Sequence, residues 1–90
     1  MDLEWDESKR QWTLANRDLD FADVGDFDFS TATTVADNRL DYGEVRLVST
    51  GFLHDRLCVL CWTRRGDRLR VISLRKAKDR EKQSYAPSSR

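Results

Sequence analysis

The spacing of apolar positions changes near residue 31. Leu3 to Trp5 reads as a short strand or an extended lead-in. Asp6 is placed as a helix N-cap, with Glu7 at the positive end of the helix dipole. Glu7 to Asn16 holds good helix formers, with Trp12 and Ala15 on one side. Asp20 is placed to cap a second helix across Phe21 to Phe27, in which Phe21, Val24 and Phe27 recur at spacing three. Gly25 and the surrounding aspartates weaken that second helix.

Beyond Thr31 the residues become β-branched and alternate. Ala32 to Ala36 reads as a short strand, and Asp37 to Gly43 has turn composition. Glu44 to Phe52, Arg56 to Arg64 and Arg68 to Leu74 are β-rich runs joined by His54-Asp55 and Arg65-Gly66-Asp67, connections short enough to make hairpins. Lys76 to Ser84 is charged and helix-permissive. The expected fold class is α+β: N-terminal helices packed on an antiparallel β-meander, with a short C-terminal helix. Residues 1–85 are expected to form a single domain and 86–90 a flexible tail.

Arginines interrupt this pattern. In the last run Leu69, Val71 and Ser73 share one direction, and Arg68, Arg70, Ile72 and Leu74 the other. In the first long run Arg46, Val48, Thr50 and Phe52 alternate against Val45, Leu47 and Ser49. Such guanidiniums either lie at strand ends or on the open sheet face with their stems over apolar surface, or form a row of fixed cations for phosphates. Both readings stay open on the alternation alone.

Charge sharpens the choice. The formal total is zero, yet residues 1–44 hold twelve acids against four bases, and residues 45–90 hold twelve bases against four acids. One surface therefore suits a polyanion, while another repels it or suits a basic partner. A chain of 90 residues buries roughly 60 to 65 per cent of its unfolded surface. An enclosed cleft is not expected in so small a core, and an open face suits a polymer better than a buried metabolite. No apolar run approaches the ~20 residues a membrane span requires. The segment Met1 to Trp5 lacks the character of a secretory signal, and two cysteines fit a reducing cytoplasm.

Other chemistries find little support. Cys58-Val59-Leu60-Cys61 matches a metal-ligand spacing, but on a strand residues three apart face opposite sides. His54, the single histidine, falls in a hairpin turn, and the four glycines form no phosphate loop. No metal or cofactor is expected.

The strongest constellation is basic: Arg64, Arg65, Arg68, Arg70, Arg75, Lys76, Lys78, Arg80 and Lys82, with Tyr85 beyond. Guanidiniums match phosphate geometry and stay charged, so such a group can position an RNA backbone and stabilise charge on a scissile phosphate. Tyr85 can stack on a base or share a proton. A solvated charged helix remains the alternative for Lys76 to Ser84.

The order of residues also resembles a known family. The segments Leu3 to Arg10, Asp20 to Val24, Asp41-Tyr42-Gly43-Glu44-Val45-Arg46 with Gly51, Gly66 to Ala77, Arg80-Glu81 and Tyr85 are similar to the BrnT toxins of bacterial toxin–antitoxin pairs. The resemblance implies a RelE-like ribonuclease fold and a toxin that cuts RNA. It also implies a BrnA-like antitoxin with a DNA-binding ribbon-helix-helix part, in a complex that can hold the toxin as a dimer. Asn16-Arg17-Asp18 stand where the family usually has Lys-His-Gly, so a histidine suited to acid–base work is missing.

Under that resemblance Arg70 and Arg75 lead the candidates. Glu44 or Glu81 would accept a proton, Arg46, Arg70 and Arg75 would stabilise charge, and Tyr85 or Arg17 would assist departure. Arg64, Arg68, Lys76, Arg80 and Arg17 would hold nucleic acid. Two rivals stand beside this metal-independent ribonuclease: a catalytically weak or inactive module that binds an antitoxin or nucleic acid, and a scaffold whose charges serve only solubility.

Overall fold

The computed structural model describes residues 2–38 and 43–85. Residues 39–42 of the expected turn at Asp37 to Gly43, with Asp41 and Tyr42 of the family-like string, and the expected tail at 86–90 lie outside the described residues. Strand β1 (Asp2–Trp5) leads into helix α1 (Glu7–Arg17), and a 3-10 helix follows at Phe21–Asp26. Strands β2 (Thr33–Ala36), β3 (Arg46–Leu53), β4 (Arg56–Arg65) and β5 (Arg68–Lys76) come next, then α2 (Asp79–Ser84).

Local chemistry sets the helix ends. The Asp6 carboxylate accepts from the amides of Ser8 at 2.9 Å and Lys9 at 3.4 Å, relieving orphan donors of the first turn. Asp18 ends α1 in the left-handed conformation, with φ 57°. Asp20 caps the next element through the Ala22 amide at 2.9 Å. The second helix, expected through Phe27, is a 3-10 helix that ends at Asp26. Its spacing of three suits the 3-10 period, which places Phe21 and Val24 together on the buried side. Phe27 leaves it to form a bridge with Leu53.

The strands form one sheet in the order β1-β5-β4-β3-β2. From β2 to β5 every pairing is antiparallel, but β1 pairs parallel to β5, with Leu3 opposite Leu69 and Trp5 opposite Val71. The sheet is therefore mixed, and the expectation of a purely antiparallel one is corrected at this edge. The hairpin turns fall where expected, with His54 at φ 56° and Gly66 at φ 60° taking the left-handed positions.

The expected alternation of β5 is broken midway. The register slips between Cys61 and Trp62, so Trp62 faces Val71 while Cys61 faces Ser73 and Leu60 faces Leu74. Ile72 is the extra residue of a bulge, which exchanges the two faces of the strand beyond it. Leu74 thereby joins Leu69 and Val71 in the core, and Ser73 turns to the opposite face.

That core lies on one side of the sheet. Leu19, Phe21, Val24, Phe27 and Ala32 meet Cys58, Leu60, Leu69, Val71 and Leu74 there. Leu60 and Leu74, an opposed pair, are both fully buried. Gly51 faces this core beneath Ala32 and Phe27, where an added Cβ would come within 2.8 Å of the Ala32 methyl. On the opposite side Leu57, Val59 and Ala77 form a smaller cluster with Val48 and Tyr85. This cluster covers only one end, so the rest of that face is open.

Candidate functional site: an arginine fan on the open sheet face

Alternation and register decide what the open face displays. Arg46 opposes Thr63, which in turn opposes Arg70, and Arg70 opposes Glu4 across the parallel pairing. Neighbouring strands lie ~4.8 Å apart, so β1, β5, β4 and β3 bring these side chains into one row. Arg65 and Arg68, paired at the β4–β5 turn, reach over the same corner.

Two carboxylates organise the row. Glu4 lies 3.0 Å from Arg70, 3.7 Å from Arg68 and 4.0 Å from Arg65. Glu44 lies 3.2 Å from Arg65 and 3.4 Å from Arg46. Arg65 thus touches both acids, and four guanidiniums face two carboxylates. Among the described residues the fan keeps a formal excess of positive charge. Glu44 precedes β3 instead of starting it, and the Thr63 hydroxyl donates to the Val45 carbonyl at 2.6 Å to hold that segment. Glu4 and Arg70 are about a quarter exposed, whereas Arg65 and Arg68 are half exposed or more. The inner pair is fixed while the outer pair reaches into solvent.

The remaining candidates lie elsewhere. The Ile72 bulge turns Arg75 to the same open face as Arg70, but the run of β5 to Lys76 sets it at the far end of the sheet. There both terminal nitrogens of Arg75 donate to Glu81 at 2.8 Å, and Glu81 also accepts from the Lys78 amide at 2.8 Å. Those bonds, Arg75 first, hold the Glu81 carboxyl down at about 2. The Tyr85 hydroxyl donates to the Thr31 carbonyl at 2.6 Å, and its ring meets Phe52 edge-on with centroids 5.8 Å apart. Arg46 and Phe52 sit at opposite ends of β3, roughly 20 Å apart at ~3.3 Å per residue. Tyr85 and Glu81 therefore stand well away from the fan.

Arg17 occupies a third place. Its guanidinium donates to the Leu74 carbonyl at 3.0 Å, on the stretch of β5 beyond β1, and stacks 5.0 Å from the Trp12 ring. It lines an edge hollow of about 400 Å³ together with Asn16, Asp18, Arg75 and Lys76. Asp18, in the place of the family-like glycine, has the left-handed backbone that glycine would favour. Arg64 bends to the Gly66 carbonyl at 3.5 Å, away from the fan, and Arg80 lies on α2.

The cysteine and histidine expectations resolve geometrically. Cys58 opposes Gly51 and lies in the main core, while Cys61 opposes Val48 and faces the other side. The thiols diverge, and burial raises the Cys58 pKa. His54 is exposed and bonds Asp26 at 3.1 Å, which raises the imidazole pKa. Among the described residues no group of His, Cys, Asp and Glu is arranged to hold a metal ion. No helix among them is long and apolar enough to cross a membrane.

Glu4 is the participant that the sequence reading passed over. It appeared only within a family-like string, and its role depends on a parallel pairing between residues 66 apart. No local signal announces such a contact.

No curated protein matches the chain. A protein-family comparison does match residues 5–81, to the family described as "Ribonuclease toxin, BrnT, of type II toxin-antitoxin system". That match takes in the last residue of β1, α1, the 3-10 helix, strands β2 to β5 and the start of α2, and begins one residue after Glu4. With most of its length matched, the chain belongs to the BrnT family of type II toxin–antitoxin ribonuclease toxins.

Proposed function

We propose that this chain is a metal-independent, RelE-like endoribonuclease whose arginine fan receives the scissile phosphate. The observation that carries this reading is the convergence of Arg46, Arg65, Arg68 and Arg70 about Glu4 and Glu44 on an open face. Guanidiniums offer bidentate donors to phosphate oxygens and supply charge at the position where it accumulates.

In the reaction, the 2′-hydroxyl attacks the adjacent phosphorus in line, and the new 2′-O–P bond forms as the bond to the 5′-oxygen breaks. Glu44 takes the hydroxyl proton. Its contacts to Arg46 and Arg65, at 3.4 and 3.2 Å, leave acceptor capacity on its oxygens. Glu81 is set aside as the acceptor, because a carboxyl held at about 2 by Arg75 has little affinity for a proton and it stands away from the fan. Arg46 and Arg70 neutralise the pentacoordinate phosphorus, Glu4 holds Arg70 in position, and Arg65 and Arg68 guide the flanking backbone. Solvent at the open face supplies the proton to the departing 5′-oxygen. A pre-set cation array of this kind works through positioning and electrostatics, without strong acid–base groups.

The partner is a BrnA-like ribbon-helix-helix antitoxin, in keeping with the toxin–antitoxin family. Purified protein incubated with total RNA in excess EDTA should cleave it, and addition of the antitoxin should stop cleavage. Intact RNA after stoichiometric incubation would overturn the nuclease reading. A second reading, a binding module without cleavage, is favoured by one feature: Arg17 stands where the family string has histidine. Salt-sensitive RNA binding without cleavage is its signature.

A further inference from the structure

The far end of the open face carries a hollow of about 200 Å³ lined by Thr33, Thr50, Glu81, Ser84 and Tyr85. Its volume falls below the ~300 Å³ lower bound of sites for drug-sized molecules, which suits a single ring system. Thr33 and Thr50 form its floor as a cross-strand pair of β2 and β3, so their hydroxyls share one face. Tyr85 forms one wall, and its ring is fixed from two directions, by the bond to Thr31 and by the edge of Phe52. Glu81 and Ser84 close the other wall from α2, and Arg75 and the Lys78 amide clamp the carboxylate in place.

We infer that this hollow is a nucleobase subsite that sets where the RNA is held. The inference rests on the reading of the open face as an RNA surface. A nucleobase is flat, has π-faces that stack on a fixed aromatic ring, and carries an edge of donors and acceptors. The hollow offers the matching parts: an immobilised phenol ring, the Thr50 hydroxyl, the Ser84 hydroxyl, which accepts while its proton goes to the Arg80 carbonyl, and a carboxylate oxygen able to accept from an exocyclic amine. Thr50 and Arg46 point to the same side of β3, four residues apart. That separation is roughly 13 Å at ~3.3 Å per residue, a span that a short single strand covers while its backbone lies in the fan. A duplex could not present an unpaired base edge there, so the substrate is single-stranded at this point. Arg75 and Glu81 act on the base indirectly, by holding the wall.

The test uses the whole protein and 2′-O-methyl octanucleotides of A, C and U, which lack the attacking hydroxyl and survive incubation. Fluorescence anisotropy with wild type should show a preference of about ten-fold for one base over the least favoured, the scale of one or two hydrogen bonds. Thr50→Val keeps a β-branched side chain in the strand but removes its hydroxyl, and Ser84→Ala changes an exposed position whose hydroxyl bonds the Arg80 carbonyl of its own helix; circular dichroism checks that both variants fold. Each should reduce the preference to under about three-fold while leaving the salt dependence of binding unchanged. Equal affinity of wild type for all three oligonucleotides, or an undiminished preference in both variants, would overturn the subsite. Cleavage of unmodified RNA is scored separately. Base preference without cleavage keeps the subsite and removes the nuclease reading, whereas cleavage without preference does the reverse.

Discussion

Glu4→Gln removes the negative charge at the centre of the fan and keeps the shape of the side chain. Glu4 touches Arg70, Arg68 and Arg65 at 3.0, 3.7 and 4.0 Å. Coulomb's law at an effective dielectric near 20 gives ~4 kcal/mol for one pair at 4 Å, but partners this exposed return only ~0.2–1 kcal/mol each in practice. Two of the three guanidiniums are at least half exposed, so the stability loss should be about 1 kcal/mol, or ~4–8 °C in Tm for a domain this size. The functional effects should run in opposite directions. With four guanidiniums and one carboxylate left, RNA should bind more tightly at low salt. The slope of log affinity against log salt should steepen by ~0.7, the value for one further phosphate on a single strand. Cleavage should nevertheless fall at least ~10-fold, because Arg70 is no longer held and small misplacements are costly in an in-line reaction. Filter binding across a salt series, alongside single-turnover cleavage, reads both quantities. Weaker binding with an unchanged slope, or cleavage that rises with affinity, would refute the role given to Glu4.

Other expectations follow from individual contacts. Asp18 holds φ 57° at the end of α1, so Asp18→Gly should stabilise the chain by about 0.5–1 kcal/mol in urea denaturation. Gly51→Ala places a methyl 2.8 Å from the Ala32 Cβ and 3.0 Å from the Phe27 ring, and should cost about 1–3 kcal/mol by the same measurement. Glu81 is held at about 2 by Arg75 and the Lys78 amide, below its ordinary value of 4.5. Its contribution is therefore present above pH 4.5 and lost as pH falls toward 2. Wild type should exceed Glu81→Gln by about 1 kcal/mol at pH 6, discounted for the exposure of the pair. That gap should narrow in urea titrations run at successively lower pH.

Much of this arrangement was legible from residue order. The helix start at Asp6, both hairpin turns and the alternation of Arg46 with Val48, Thr50 and Phe52 follow local rules that tertiary packing left intact. What escaped was non-local. The parallel pairing of β1 with β5 joins residues 66 apart, and no pattern within Leu3-Glu4-Trp5 specifies its partner. The bulge at Ile72 reverses every side chain after it, so Leu74 and Ser73 exchange sides, and Arg75, which strict alternation would set on the opposite face from Arg70, comes to the same face at the far end of the strand. The spacing of Phe21, Val24 and Phe27 was visible, but it fits a 3-10 period as readily as one face of an α-helix, and six residues favoured the tighter form. The family strings marked Arg17 and Asp18, which stand just past the expected helix end at Asn16 and are the last residue and the cap of α1. They did not show that Arg17 would be spent on the Leu74 carbonyl.

Two arginines that the sequence treated alike now stand in different settings, and comparing them tests the central claim most directly. Single-turnover RNA cleavage in EDTA should be measured for wild type, Arg70→Ala and Arg75→Ala, with circular dichroism confirming that each is folded. Arg70→Ala is expected to lose cleavage by at least about 100-fold, the scale of one preorganised charge at a scissile group. Arg75→Ala, which loosens α2 without touching the fan, should retain cleavage within about ten-fold, the loss expected from slackened positioning alone. Full activity in Arg70→Ala together with abolition in Arg75→Ala would contradict this assignment and move the chemistry to the edge hollow shared with Arg17 and Lys76.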